Sequence, residues 1–118
     1  LPIKIFILNN EYMGMVRQWQ ELLHDKNYSE SYTAALPDFV KLAEAYGCVG
    51  LRASTPHELD DKIIEMINTD RPVIFDCRVD KQENCFPMIP SGKPHNQMLL
   101  GPKDQKENKI TGKGKTLV

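Results

Sequence analysis

The sequence predicts an α/β fold: a parallel sheet with helices on both faces, followed by an extended carboxy-terminal tail. Three features predict it. Residues 3–8 (Ile-Lys-Ile-Phe-Ile-Leu) form a nearly unbroken apolar run with one charge, the pattern of a strand buried on both faces of a parallel sheet. Two later runs, 49–53 and 73–79, also read as strands, the last becoming more polar after Phe75. Helical patterns stand between them, giving the strand–helix alternation of an α/β layer with right-handed crossovers.

Taken in order, the first strand leads into residues 14–24, where Met15, Trp19, Leu22 and Leu23 recur at helical spacing. Residues 25–37 are polar, rich in Tyr and Ser, and read as a loop. Residues 38–46 read as a helix with Phe39, Leu42, Ala43 and Tyr46 on one face, stopped by Gly47 in a left-handed conformation. After the strand 49–53, Thr55 is a helix cap, Pro56 takes the first helical position, and Glu58 closes a capping box. The helix it opens is expected to turn Leu59, Ile63, Met66 and Ile67 inward and to end near Asn68. Asp70-Arg71-Pro72 turns the chain into the last strand, and Pro87 and Pro90 forbid a helix over 86–92.

Length and composition narrow the function classes. At 118 residues there is room for one small domain at most. Residues 101–118 carry +3, which leaves −4 on residues 1–100, so a nucleic-acid footprint is not expected. Nothing approaches the roughly 18 consecutive apolar residues of a membrane span, and no signal peptide is visible. The odd count of Cys48, Cys77 and Cys85 fits neither a disulfide framework nor a zinc site, and points to a reducing, cytosol-like compartment. With Leu1 first and no capping residue before the first strand, the chain reads as a fragment of something longer. The expected organisation is residues 1–80 as part of a domain, 81–100 as a tail, and 101–118 as disordered.

The chemistry concentrates where the first strand ends in Asn9-Asn10. Two amides at the end of a buried strand are costly unless a site uses their hydrogen-bonding or ligating capacity. In open α/β sheets, ligands bind at the carboxyl ends of the strands. An Asn oxygen is a hard neutral donor suited to Mg²⁺, the carbonyl of Tyr12 offers a second, and Gly14 lets the main chain approach a ligand. On residue types alone, adjacent asparagines after a strand are more often turn-formers or caps. Met15 and Trp19, four apart on one helix face, suit either core packing or the wall of a small-substrate pocket. His24, His57 and His95 form no ligand or relay pattern and are expected to face solvent, and nothing in its spacing supports Glu11 as a base.

At this point the residues resemble a known family. Asn9-Asn10 after an apolar strand looks like the closing half of the thiamine-diphosphate motif, which opens with Gly-Asp-Gly a few tens of residues earlier. Gly14-Met15-Val16-Arg17-Gln18-Trp19 and Glu83-Asn84-Cys85-Phe86-Pro87-Met88-Ile89-Pro90-Ser91-Gly92 are similar to the large, catalytic subunit of acetohydroxyacid synthases (acetolactate synthases). Segments 37–47 and 71–79 match in order and spacing, so that the resemblance spans about residues 1–100.

It implies a thiamine-diphosphate-binding domain in an enzyme of branched-chain amino-acid biosynthesis. Such an enzyme decarboxylates pyruvate and joins the two-carbon unit to pyruvate or 2-ketobutyrate. By the same implication, Asn10 and the Tyr12 carbonyl hold Mg²⁺, and Gly14, Met15 and Val16 lie against the cofactor. Met15 and Trp19 shape the pocket for the second 2-keto acid, with Trp19 favouring 2-ketobutyrate. Ser91 falls in a tail that covers the site, where sulfonylurea and imidazolinone inhibitors bind in the family.

The aspartate of Gly-Asp-Gly, the glutamate that activates thiamine and the FAD-binding domain are expected outside this sequence, leaving no catalytic residue in it and the isolated piece inactive. Homodimers or homotetramers, with a small regulatory subunit as an optional partner, are implied, in the cytoplasm or in an organelle of a eukaryote. The alternatives are another thiamine-diphosphate carboligase or decarboxylase, or a non-catalytic α/β interaction module. Glyoxylate carboligase, the nearest rival, typically lacks the tryptophan at position 19.

Overall fold

The structure, a computed structural model, describes residues 1–33 and 35–103. The disorder expected over 101–118 falls, from residue 104 onward, outside the described residues. Two compact units emerge: Leu1–Tyr12 with Thr33–Gln82, and Met13–Tyr32 with the described part of Glu83–Val118.

The first unit is a three-stranded parallel sheet in the order β1-β3-β2, with β1 Lys4–Asn9, β2 Val49–Ala53 and β3 Val73–Arg78. Strand β3 lies in the middle, so its residues are the most deeply buried: Val73, Phe75, Asp76 and Cys77 are all closed to solvent. Its odd-numbered side chains, with Leu51 and Ala53 of β2, form the core under Met66, Leu59 and Ile63 of the helix Pro56–Asn68. The even-numbered face meets the helix Phe39–Ala45 instead. Gly50 shows how closely: a Cβ there would lie 2.7 Å from the Val40 carbonyl oxygen and 2.9 Å from its Cα. Only a residue without a side chain admits that backbone approach. Helices therefore cover both faces of β2 and β3, as expected.

We number the helices in chain order: α1 Gly14–Leu23, α2 Phe39–Ala45 and α3 Pro56–Asn68. Asp38 caps α2 by accepting from the Val40 and Lys41 amides, and Gly47 stops it at φ 70°. Glu58 accepts from the Ser54 and Thr55 amides at the start of α3, completing the box read from the sequence. Those bonds hold the Glu58 carboxyl below its ordinary range.

Three expectations about burial need correction. Strand β1 is not buried on both faces: Ile5, Phe6 and Leu8 stay exposed because it pairs only with β3 and nothing described covers its outer side. Phe6 still packs edge-on to Phe75, with ring centroids 4.7 Å apart. Tyr46 caps α2 rather than joining its buried face, and Ile67 lies on the solvent side of α3. The single charge in β1 closes the end of α3, where Lys4 Nζ donates to the carbonyls of Thr69 and Arg71 at 2.5 and 2.7 Å.

The second unit holds α1 and the tail. Residues 86–92 contain no helix, as their prolines require. Beyond that the tail closes on itself, with Met88 and Leu99 exchanging both backbone hydrogen bonds at 2.9 and 2.7 Å. Among the described residues, no helix is long and apolar enough to cross a membrane.

Candidate functional site

In the sheet unit, Asn9 and Asn10 sit at the carboxyl end of β1, where parallel sheets place ligands. The two amides bond differently. Asn9 Nδ2 donates to Asp76 Oδ1 at 2.7 Å, tying β1 to β3, and Asn9 Oδ1 accepts from the Glu11 amide at 3.1 Å. That second bond supports Glu11 in the left-handed region, φ 59°, which a residue with a side chain rarely adopts. Glu11 is also paired with Lys81 at 2.6 Å, an ion pair that suits an anchor rather than a base.

Asn10 Oδ1 accepts from the Tyr12 amide at 3.1 Å, a local turn over three residues. An amide oxygen has two lone pairs, so one remains for a cation. Among the described residues, no group of three or more His, Cys, Asp or Glu could hold a metal. A cation here would have to combine neutral oxygens such as Asn10 Oδ1 and the Tyr12 carbonyl with donors from elsewhere. Mg²⁺ suits such a set, because it keeps waters and substrate phosphates in its octahedron.

Beside these asparagines, a polar cavity of about 270 Å³ is lined by Asn9, Glu11, Thr33, Asp38, Arg52, Asp76 and Arg78, with Leu36 and Pro37. Its wall is a network of charges. Arg52 Nε binds Asp76 Oδ2 and Arg52 Nη2 binds Asp38 Oδ1, both at 2.8 Å. Arg78 Nε stands 4.0 Å from Asp76. Bonding to Asp76 first, then to Asp38, raises the Arg52 pKa further above neutrality. The Lys41 amide, followed by Arg52, lowers that of Asp38. Asp76, the one fully buried carboxylate among the described residues, thus receives Asn9 and Arg52 together, as a buried charge requires. Sequence reading missed this network; an arginine in β2 and an aspartate in β3, both in otherwise apolar strands, were its available signal. Burial, with Asp76 adding a smaller effect, raises the Cys77 thiol, consistent with an inert core residue.

In the second unit, α1 begins at Gly14 without a side-chain cap and without an acidic residue in its first turn. The amides of Gly14, Met15 and Val16 are therefore the donors a bound group would meet. Gly14 has no positive φ, so conformational need does not account for a glycine there. Met15, Val16 and Trp19 face outward, Met15 being 53% and Trp19 36% exposed. With Gln20 and His24 they line an apolar groove of about 330 Å³. Core packing therefore does not explain Met15 and Trp19, and His24, expected only to face solvent, is a groove residue. His57 and His95 are exposed. Ser91 is half-buried in a turn closed by the Lys93 amide donating to the Pro90 carbonyl at 3.0 Å, with Gly92 at φ 77°. A side chain at that φ would be strained.

The family described as thiamine pyrophosphate enzyme, C-terminal TPP binding domain, matches residues 1–77. The chain is 50% identical over 100 residues to the acetolactate synthase large subunit of Cyanidium caldarium, covering 84% of this chain and 17% of that protein. It is 45% identical over 103 residues to the acetolactate synthase isozyme 3 large subunit of Escherichia coli, covering 85% and 18%. It is 47% identical over 98 residues to the mitochondrial acetolactate synthase catalytic subunit of Saccharomyces cerevisiae, covering 83% and 14%. The chain thus spans less than a fifth of the length of these curated relatives.

Proposed function

Because this chain belongs to the thiamine pyrophosphate enzymes, through their C-terminal TPP-binding domain, we propose that it is the C-terminal part of the thiamine-diphosphate-binding domain of an acetolactate synthase catalytic subunit, with a covering tail. The parent enzyme decarboxylates pyruvate and condenses the two-carbon unit with pyruvate or 2-ketobutyrate, on the route to branched-chain amino acids. The observation that carries the reading is the exposed apolar groove of Met15, Val16 and Trp19, at the start of a helix that follows Asn9-Asn10 directly in sequence. A helix buried in a core would not display these three residues to solvent.

In this reading residues 1–80 contribute to the cofactor-binding domain and 81–100 to a covering tail. Asn10 Oδ1 and the Tyr12 carbonyl supply two neutral oxygens to Mg²⁺, and the backbone of Gly14, Met15 and Val16 lies against thiamine diphosphate. The cofactor, when bound, supplies the carbanion chemistry, and the protein supplies binding, orientation and exclusion of water. Asn9, Asp76 and Arg52 keep the end of β1 fixed so that Asn10 presents its oxygen reproducibly. Met15 and Trp19 form the wall for the second 2-keto acid, and Ser91 belongs to the tail at which the family's inhibitors act. The carboxylate ligand of Mg²⁺, the glutamate that activates thiamine and the FAD site belong, in this reading, to other parts of the enzyme. The assembly is a homodimer or homotetramer with an optional regulatory subunit, in the cytoplasm or in a eukaryotic organelle.

A flat aromatic wall favours one additional methylene by about 1 kcal/mol. In the full-length enzyme supplied with both 2-keto acids, Trp19→Leu should therefore lower the acetohydroxybutyrate-to-acetolactate ratio by roughly fivefold. An unchanged ratio removes Trp19 from substrate selection.

A further inference from the structure

Helix α1 buries two polar side chains beside Leu23 while it leaves apolar ones open. Arg17 and Gln18 are each only 1% exposed, while Met15 and Trp19 on the other side are open. Buried polar side chains are expensive unless their capacity is used. The Gln18 carboxamide uses it on one residue of the tail: Nε2 donates to the Cys85 carbonyl at 3.1 Å, and Oε1 accepts from the Cys85 amide at 2.7 Å. One side chain thereby satisfies both backbone groups of Cys85, as a neighbouring strand would.

The same Nε2 lies 2.9 Å from Met88 Sδ. Arg17 adds bonds from Nη2 to the Glu83 carbonyl at 2.9 Å and to Asn84 Oδ1 at 2.7 Å, and is itself oriented by Glu21 at 2.7 Å. Met88 in turn pairs with Leu99 in both directions, and that pair closes the loop over 89–98 that carries Ser91. Side chains of α1 thus grip the tail directly below the point where the Ser91 loop closes.

We propose that Gln18, assisted by Arg17, is a positioning residue for substrate selection. By fixing Cys85 and Met88 it sets the base of the Ser91 loop against the helix that presents Met15 and Trp19. It touches no substrate itself. Apolar packing would attach the tail to α1 more simply, but an amide bonded to both backbone groups of one residue fixes register as well as proximity. The inference rests on the reading of Met15 and Trp19 as the wall for the second 2-keto acid.

The test uses the full-length enzyme, with wild type, Gln18→Met and Trp19→Leu assayed in parallel for product ratio, for KM of the second 2-keto acid and for kcat. Gln18→Met keeps volume and removes the clamp. It should lower the acetohydroxybutyrate-to-acetolactate ratio at least threefold and raise that KM by more than it lowers kcat. A lower kcat with ratio and KM unchanged would reduce Gln18 to a structural residue and overturn the proposal. If Gln18→Met does not fold, Asn84→Ala removes only the Arg17 contact and should shift the ratio the same way; a folded Asn84→Ala enzyme with the wild-type ratio overturns it equally. Trp19→Leu separates the two levels. If it changes the ratio and Gln18→Met does not, the positioning role fails alone, whereas no change in Trp19→Leu removes the underlying wall.

Discussion

The two compact units distribute polarity in opposite ways. The sheet unit buries Val73, Phe75, Leu51 and Ala53 and gathers its charges at the carboxyl ends of the strands, around Asp76. The α1 unit buries Arg17, Gln18 and Ser31 beside Leu23 and Leu99, and leaves Met15, Val16 and Trp19 outside. A single exposed apolar residue needs no explanation, but three that adjoin and line a groove mark a surface meant to be met. The first unit is arranged to stay folded and hold a strand end still. The second buries polar side chains beside Leu23 and Leu99 and presents an apolar face.

The largest effect that would break this contrast concerns Asp76. Asp76→Ala leaves Asn9 and Arg52 without their shared acceptor and should destabilise the full-length protein by about 3 kcal/mol in chemical denaturation. A loss near zero would mean the charge network does not hold the strand ends. Next comes Gly50→Ala, whose added Cβ meets the Val40 backbone rather than a yielding side chain, for a loss of about 1–3 kcal/mol. A variant with unchanged stability would show that α2 does not lie against β2 as described.

The α1 unit reverses the usual ranking. Gln18→Met should cost about 1–2 kcal/mol, through the Cys85 amide and carbonyl it leaves unpaired. Met15→Ala, on the exposed face, should stay within about 0.5 kcal/mol. The opposite order would make Met15 a core residue and erase the contrast between the units. The smallest effect is on acid stability. Asp38 and Glu58 have pKa values lowered by backbone amides, with Arg52 assisting Asp38. A carboxylate with a depressed folded pKa stabilises above its unfolded value, near 4, and that stability is lost as pH falls through the folded value. Asp38→Asn with Glu58→Gln should therefore flatten the unfolding midpoint against pH below about pH 4. An unaltered acid limb would show that neither cap contributes.

Much of the sheet unit was legible because its signals are local. The capping box at Thr55 and Glu58, the stop at Gly47 and the apolar strands each declare their structure within a few residues. What escaped depends on partners distant in sequence. Residues 3–8 have the composition of a doubly covered strand, yet no periodicity reveals that its outer side lacks cover in this chain. Asn9 showed only a turn-former's residue type, because its partner Asp76 lies 67 positions away. For α1, helical spacing grouped Met15, Trp19, Leu22 and Leu23 correctly but left open which side faces inward. Only Leu23 of that set is fully buried, because the tail offers α1 backbone groups to bond and draws Arg17 and Gln18 inward. The proposed site residues were suggested mainly by family resemblance: Asn10, Met15 and Trp19 have no spacing that spells such chemistry unaided.

The most direct measurement is a titration of Mg²⁺, at saturating thiamine diphosphate, into cofactor-free full-length enzyme, as wild type and as Asn10→Ala. If Asn10 Oδ1 is a metal ligand, the half-activating Mg²⁺ concentration of the variant rises at least about tenfold while its fold is retained. Activation of Asn10→Ala at the wild-type Mg²⁺ concentration would contradict the assignment and leave the paired asparagines as a turn.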